Sequence, residues 1–410
     1  MNETFARIAR LTALAAISGR ENACFAQLRE QTEGLFDEYI TTPTGSFAGI
    51  IRCGKADAPL LLLDAHIDEI GFVVTEICDG GFLRAAAVGG IDTRVLSASE
   101  VTVYGKEAIR GVFTSKPPHL QEAGESRKKI ELRDLYIDTG YDKEALSKLV
   151  TIGDAVGFYA PAQLLANGLV TSKAFDDRIC AYAILRAVEA VDRSRLTTDI
   201  CVLLSGGEEI GYVGARTAAF ALCPDVAIAL DVTNAYMPDG PRHKKDVRLG
   251  SGPVISYSAT TSRAFTQTIV DTAKAQGVPY SVAGEPGATG TNAHVLQITR
   301  GGVPTALVSI PLRYMHTCAE VISADDAENT AALLRAFMEN FPAAYAEKEA
   351  AICLRTICPF RCCPAAIPAA IYSRCAFALR IVSTASIPSP SPRSSTGAGW
   401  NMSGWRRSSF

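Results

Sequence analysis

Short apolar runs and longer segments with helical spacing alternate along the chain after residue 165. Apolar runs of about four to eight residues, bounded by glycine or polar residues, are typical of strands that a sheet buries on both faces. Because helical segments separate these runs, the pattern predicts an α/β fold with helices covering both faces of the sheet. The predicted strands are 59–64, 200–204, 226–230 and 305–310, and the predicted helices are 178–190, 215–222, 262–276 and 327–341.

The segment between residues 72 and 162 has a different pattern. Short β-type pieces, such as GFVVTEI, VTVYG and GVFTS, alternate there with glycines and turns, and a polar stretch lies in the middle. We therefore predict that 72–162 is a small β domain. It is inserted into a larger, discontinuous domain that consists of 1–71 and 163–346.

The start of the chain predicts an amphipathic helix rather than a signal peptide, because its apolar stretch is short and no A-x-A-like cleavage site follows. We therefore expect a cytoplasmic protein. Ser18 and Glu21 have the spacing of a capping box, which predicts that a second helix begins there. The residues that share the apolar face of the first helix are Phe5, Ile8, Leu11 and Ala15.

Composition and charge narrow the classes of partner. The chain has 410 residues, and no apolar run approaches the roughly 20 residues of a membrane span, so we expect no membrane partner. The formal net charge is −3, whereas nucleic-acid-binding proteins usually carry a basic excess. We therefore expect no nucleic-acid partner. The cysteines before residue 350 are scattered, without C-x-x-C spacing, which is typical of free thiols in the cytosol.

The last sixty residues have a composition of their own. Residues 351–410 contain seven Arg and five Cys but no Asp, Glu or Lys, so they carry a charge of +7 against −10 for the rest. Natural disordered tails are usually rich in Glu, Lys and Gln instead. Our hypothesis is that 347–410 is an out-of-frame product of a frameshift, and the alternative is a genuine disordered Arg/Ser/Pro tail. Resequencing the locus distinguishes them, since a clean reading frame through residue 410 excludes the frameshift.

Two pairs of polar residues lie at predicted ends of buried strands. In the segment DAHID at 64–68, His66 and Asp68 alternate, so an extended backbone points both side chains the same way. An aspartate beside a histidine can fix the tautomer of a metal-binding imidazole, although such pairs are also common on surfaces. Glu208 and Glu209 follow the apolar run CVLL between glycines. One of them can bind a metal ion while the other reaches a metal-bound water.

Four further residues extend this set. Asp176 and Asp177 precede a predicted helix, where either can serve simply as its N-cap. Asp231 ends one predicted strand and His316 follows another, and each on its own is more often a structural polar residue. Together the positions supply two imidazoles and three carboxylates, with one glutamate to spare. Such nitrogen and oxygen donors without thiolates suit Zn²⁺, Co²⁺ or Mn²⁺, and five ligands suffice for two ions if one carboxylate bridges them.

In order and spacing these segments resemble metallopeptidase family forty-two, the glutamyl and deblocking aminopeptidases, which include the tetrahedral aminopeptidases. The resemblance extends to about residue 345. It implies a phosphorylase/hydrolase-like α/β sandwich as catalytic domain, with an inserted small β-barrel or PDZ-like domain. The matching segments include SGRE (18–21), DAHIDEIGF (64–72), KAFDDR (173–178), GGEEIGYVGA (206–215), ALDVT (229–233) and GVPTALVSIPLRYMH (302–316).

The resemblance also implies a role for seven residues. It implies a metallo-aminopeptidase that hydrolyses N-terminal residues from peptides with two divalent ions per subunit, Zn²⁺ or Co²⁺, and a general base that activates a water between them. The implied ligands are His66 and Asp231 for one ion, Glu209 and His316 for the other, and Asp176 as the bridge; Glu208 is the implied base and Asp68 the partner of His66.

Departures from the family pattern lie outside this set. Asn292 stands where relatives usually have Asp, and Cys318 follows Thr317 where they usually have Pro. The resemblance further implies homo-oligomers, from dimers to dodecamers. Three alternatives remain open: a two-metal acyl-amino-acid deacylase or carboxypeptidase, a catalytically dead scaffold, and an endoglucanase, a label that some family members carry. The last is disfavoured because sugar cleavage usually needs two carboxylates and no metal.

Overall fold

The computed structural model describes residues 2–114, 116–121, 130–240 and 245–346. Within these ranges the chain forms a mixed sheet of eleven strands, flanked by helices, and a closed barrel of six strands. The expected α/β fold with an inserted β-barrel is therefore confirmed. The hypotheses for 347–410 concern residues outside the described ranges.

The helices occur largely where the hydrophobic spacing predicts them, and the four helices predicted after residue 165 are present within a few residues of their expected bounds. Among the described residues, no helix is long and apolar enough to cross a membrane. The helices are α1 (Asn2–Thr12), α2 (Phe25–Gln31), α3 (Lys143–Leu149), α4 (Phe175–Ala190), α5 (Val213–Leu222), α6 (Arg263–Gln276), α7 (Ala293–Leu296), α8 (Ala324–Glu339) and α9 (Ala343–Ala346).

The strands divide between the two β structures: the barrel takes the fourth to the ninth, and the large sheet takes the others. In chain order they are β1 (Glu38–Thr41), β2 (Phe47–Ile51), β3 (Leu60–His66), β4 (Gly71–Ile77), β5 (Phe82–Val88), β6 (Glu100–Tyr104), β7 (Ala108–Phe113), β8 (Ile137–Asp138), β9 (Ala155–Phe158), β10 (Gln163–Leu164), β11 (Leu169–Ser172), β12 (Asp199–Ser205), β13 (Val226–Asn234), β14 (Val254–Ser258), β15 (Ser281–Glu285), β16 (Thr305–Arg313) and β17 (Glu320–Ser323).

Four parallel strands form the centre of the large sheet, in the order β12, β3, β13 and β16. Their side chains are almost entirely buried because helices pack on both faces. Residues of α1, α4, α6 and α8 pack on one face, and residues of α5 and α7 pack on the other. The barrel has its own apolar core, in which the Phe72 ring contacts the rings of Phe113 and Phe158. Parallel pairing brings the carboxyl ends of β3, β12, β13 and β16 to one edge of the sheet.

The predicted capping box at Ser18 and Glu21 is wrong. Ser18 Oγ donates a hydrogen bond to Asp68 Oδ2 at 2.6 Å, and Glu21 Oε1 accepts from the backbone N–H groups of Gly19 and Gly207 at 2.8 and 2.9 Å. The segment Glu21–Cys24 is a 3₁₀ turn, and α2 begins only at Phe25. The two side chains bind the loops after β3 and β12, and these long-range partners replace the local cap.

Candidate metal centre

The carboxyl edge of the parallel strands carries most of the predicted site. His66 is the last residue of β3 and pairs with Ser205, the last residue of β12. Glu208 and Glu209 follow β12 after two glycines, Asp231 lies in β13, and His316 follows β16. Ligand sites of α/β sheets form at such edges because neighbouring strands end there together. The long apolar strands thus bring together residues that are up to 250 positions apart in sequence.

Asp176 lies between the two histidines. Its Oδ1 is 3.0 Å from His66 Nε2, and its Oδ2 is 3.3 Å from His316 Nε2. The same His316 nitrogen is 3.3 Å from Glu209 Oε1. Two sets of donor atoms result, each with all its atoms within 4.8 Å of one another: His66, Asp176 and Asp231 form the first set, and Asp176, Glu209 and His316 form the second.

Asp68 holds both His66 and the loop after β12. Its Oδ1 is 3.4 Å from His66 Nδ1, on the opposite side of the ring from the nitrogen that faces Asp176. The same carboxylate accepts hydrogen bonds from the backbone N–H groups of Glu208 and Glu209, at 3.1 and 3.3 Å. Burial alone would raise the pKa of Asp68, but the hydrogen bonds and the charge of His66 lower it below its ordinary value.

The site contains more buried acidic groups than basic ones. Burial raises the pKa of Glu208 to about 8. The pKa of Asp231 is raised well above its usual range by burial and by the nearby carboxylates of Asp177 and Asp176. Among the described residues, the ion pairs of Asp176, Glu208 and Glu209 involve only the two imidazoles. A set of buried oxygen and nitrogen donors with this excess of negative charge fits divalent cations.

Asp177 does not act as the helix N-cap that its position allowed. The residue before α4, Ala174, makes no side-chain capping bond, and Asp176 and Asp177 have non-helical backbone angles. Asp177 Oδ2 instead accepts a hydrogen bond from the backbone N–H of His66 at 3.2 Å. Both aspartates therefore point toward the end of β3.

The family model of the M42 glutamyl aminopeptidases matches residues 45–333. The chain belongs to this family. It is 37% identical to the lysyl aminopeptidase of Pyrococcus furiosus over 295 residues, which are 71% of this chain and 84% of that protein. The resemblance inferred from the sequence motifs is thus confirmed, and the chain is an aminopeptidase.

Solved structures of similar peptidases have the same fold. An aminopeptidase from the archaeon Desulfurococcus kamchatkensis superposes with a TM-score of 0.79 at 30% identity, covering 86% of this chain and 99% of that one. The TET1 peptidase of Pyrococcus horikoshii, which can assemble into a tetrahedron or a large octahedral shell, superposes with a TM-score of 0.72 at 28% identity, covering 82% and 99%. Each is matched almost completely, although part of this chain lies outside the match.

A cleft of about 460 Å³ opens onto the second set of donors in this aminopeptidase. Asp176, Glu208, Glu209, Asp231 and His316 all line it. Its other walls come from the loop after β12, from β13, and from the segments around β14 and β15. Residues that line these walls include Tyr212, Asn234, Ser256, Glu285 and Thr291. The cleft therefore gives a substrate access to the proposed ligands and to Glu208.

The two departures from the family pattern lie beside the donors rather than among them. Asn292 Nδ2 donates to Asp64 Oδ2 at 2.8 Å and to Ser205 Oγ at 2.9 Å. It therefore supports the strand positions next to His66. Cys318 packs against the core of the barrel.

Sequence reasoning missed two buried groups beside the site. Glu320, at the start of β17, accepts hydrogen bonds from the backbone N–H groups of Asp176 and His316. Arg178 is fully buried and forms an ion pair of 2.9 Å with Glu69. Arg178 lies within the matching segment KAFDDR, but the sequence does not indicate its contact, because Glu69 is 109 residues away. Glu320 lies outside the matching segments, and one of its two partners, Asp176, is 144 residues away.

Proposed function

We propose that this aminopeptidase binds two divalent cations and releases N-terminal residues from peptides, with Glu208 as the general base. The observation that carries the proposal is the pair of donor sets that share Asp176. A carboxylate with one oxygen in each set is suited to bridge two ions. The nitrogen and oxygen donors of the two sets suit Zn²⁺ or Co²⁺ in a catalytic site, whereas structural zinc sites usually have thiolate ligands.

Cations held by these residues would supply Lewis acidity to a water molecule and to the carbonyl oxygen of the substrate. Glu208 belongs to neither donor set, and its Oε2 is 4.0 Å from His66 Nε2. Burial raises its pKa, which favours a carboxylate that both accepts and returns a proton near neutral pH. Glu208 accepts the proton of the attacking water as the new C–O bond forms. It then donates that proton to the amine nitrogen as the peptide C–N bond breaks.

The free α-amine of the substrate is cationic when protonated, and the carboxylates lining the cleft attract such a group. This attraction favours an unblocked N-terminus over an acylated one. A deacylase would need the opposite preference, and a carboxypeptidase would need to bind a free C-terminal carboxylate, which the cleft carboxylates repel. The carboxylates that line the cleft therefore support an aminopeptidase rather than these alternatives.

Hydrolysis of paired substrates tests the proposal. A panel of aminoacyl chromogenic amides, including lysyl and glutamyl amides, is compared with the N-acetylated panel, before chelation, after chelation and after restoration of Zn²⁺ or Co²⁺. We expect release only from the unblocked amides, with loss on chelation and recovery with metal. Release of acetate from the acetylated amides, without release of the chromophore, would identify a deacylase. Cleavage of neither panel by folded, metal-loaded protein would identify a catalytically inactive homologue.

We also propose that the chain assembles into a homo-oligomer. The support is the assembly behaviour of the TET1 peptidase of Pyrococcus horikoshii, which has the same fold. Light scattering coupled to size exclusion measures the mass of the native particle. A particle of 43.6 kDa, the mass of one chain, would contradict the proposal.

A further inference from the structure

Glu320 binds the backbones of two proposed metal ligands at once. Its side chain is buried, with 2% of the residue exposed. Oε2 accepts the backbone N–H of Asp176, and Oε1 accepts that of His316, both at 3.1 Å. Asp176 and His316 belong together to the second donor set, with Glu209. A single carboxylate thus joins two chain segments that are 140 residues apart in sequence.

Regular secondary structure does not fix either of these segments. Asp176 has φ −76° and ψ 102°, outside the helical range, although it lies at the start of α4. His316 has a positive φ of 62° and lies beyond the end of β16. Neither backbone N–H therefore takes part in a helix or strand ladder, and Glu320 supplies the hydrogen-bond acceptor for both.

The position of Glu320 in the sheet explains how it reaches both segments. Strand β17 lies between β16 and β11 and pairs antiparallel with each. Glu320 pairs with Ser172, the last residue of β11, and Asp176 follows four residues later. His316 follows the last residue of β16, Arg313, by three residues. The first residue of β17 is therefore placed between the two strands that lead into the ligands.

We propose that Glu320 is a positioning residue for the second cation. By holding both backbones, it sets the distance at which the side chains of Asp176 and His316 converge. Glu320 holds two of the three donors of the second set but only one donor of the first, the shared Asp176, because Asp177 and Asp68 hold His66. Loss of Glu320 therefore weakens binding of the second cation more than binding of the first. This inference rests on the proposed two-cation function.

The test is a Zn²⁺ titration of the metal-free, full-length chain by calorimetry, with metal content measured after gel filtration. Glu320→Gln keeps the volume but offers one acceptor and presents an amide donor to the other N–H. Substitution of a residue that hydrogen-bonds to a metal ligand typically lowers metal affinity by roughly 10–100-fold. We expect one of the two cations to bind that much more weakly and the other to change by less than about threefold. Glu320→Asp, which keeps the charge but is shorter, should give an intermediate loss. In both variants, kcat should recover at high Zn²⁺, with KM changed less.

Asp326→Asn is the matched control. Asp326 is also a buried carboxylate that accepts two backbone N–H groups, from Gly250 and Gly252 at 2.7 and 2.6 Å, but it contacts none of the proposed ligands. It should lower the melting temperature without changing either Zn²⁺ affinity. Wild-type affinities for both cations in Glu320→Gln and Glu320→Asp would overturn the proposal, as would an equal loss of both. If the wild-type chain binds no Zn²⁺, the proposed function itself fails, and that result is visible before any variant is compared.

Discussion

The adjacent pair Glu208 and Glu209 allows the roles of base and ligand to be separated by two single substitutions. Glu209 Oε1 is 3.3 Å from His316 Nε2 and belongs to the second donor set, whereas Glu208 belongs to neither set. Asp68 accepts the backbone N–H of both, so the loop is held in the same way in either variant. Glu208→Gln should therefore remove the base and keep the cations, and Glu209→Gln should do the reverse.

The expected magnitude follows from the surroundings of Glu208. The residue is only 9% exposed, so bulk water has little access to replace the lost carboxylate as base. A positioned general base contributes roughly 10²–10⁴-fold in rate, which corresponds to about 3–5 kcal/mol of activation free energy. We expect kcat of Glu208→Gln to fall by that factor. Glutamine has nearly the same volume, so the fold and KM should change little.

The assay is steady-state hydrolysis of the best unblocked amide at saturating Zn²⁺, with metal content measured on the same samples. Glu208→Gln should retain two cations per chain. Glu209→Gln should lose affinity for one cation and regain part of its activity as Zn²⁺ is raised. If kcat of Glu208→Gln stays within about threefold of wild type, the assignment of the base is refuted. Loss of a cation from that variant would make Glu208 a ligand instead.

Three further predictions concern stability. Burial raises the pKa of Glu208 to about 8, and the hydrogen bond to Asp176 raises the pKa of His316 to about 11. The folded chain therefore binds more protons than the unfolded chain between about pH 5 and pH 9. The melting temperature of the chelated protein should therefore fall as the pH rises through this window, and a rise in calorimetric scans would contradict the shifts. Arg178→Met removes one of the buried, positively charged side chains that pair with Glu69, so the unfolding free energy measured in urea should fall by about 3–5 kcal/mol. A loss under about 1 kcal/mol would show that this ion pair contributes little to stability. Asn292→Asp replaces an amide donor 2.8 Å from Asp64 Oδ2 by a second carboxylate. Urea denaturation should show a loss of about 1–3 kcal/mol in unfolding free energy at pH 8 and a smaller loss at pH 5, where the pair holds a proton more readily.

The fold was largely predictable because the pattern of apolar positions is local and strong. The strands predicted at 200–204 and 305–310 are present as Asp199–Ser205 and Thr305–Arg313, and each observed strand contains the whole predicted range. Apolar runs of this kind are buried wherever a sheet forms, so their type follows from the sequence. The capping box failed for the opposite reason. Its spacing is local, but the partners that Ser18 and Glu21 bind are 50 and 186 residues away.

In the candidate site, too, some features follow from the local sequence and others depend on distant residues. Residues that the family motifs place at the ends of parallel strands are brought together by strand pairing, so His66 and Asp231 could be named from the sequence. Glu320 and Asp177 could not be assigned their observed contacts. Their carboxylates accept from backbone N–H groups, including those of Asp176 and His66 that are 144 and 111 residues away. Every residue except proline has such a group. No pattern of residue types therefore indicates the contact.

Three buried carboxylates accept hydrogen bonds from the backbones of proposed metal ligands and of Glu208. Asp177 accepts from His66, Asp68 accepts from Glu208 and Glu209, and Glu320 accepts from Asp176 and His316. Because these hydrogen bonds use main-chain donors, the side chains of the proposed ligands stay available for cations. The same arrangement adds buried negative charge around the donors, which disfavours the metal-free, deprotonated state. Either bound cations or bound protons can therefore offset the negative charge at this site. Restored Zn²⁺ should therefore raise the melting temperature more at pH 9 than at pH 6.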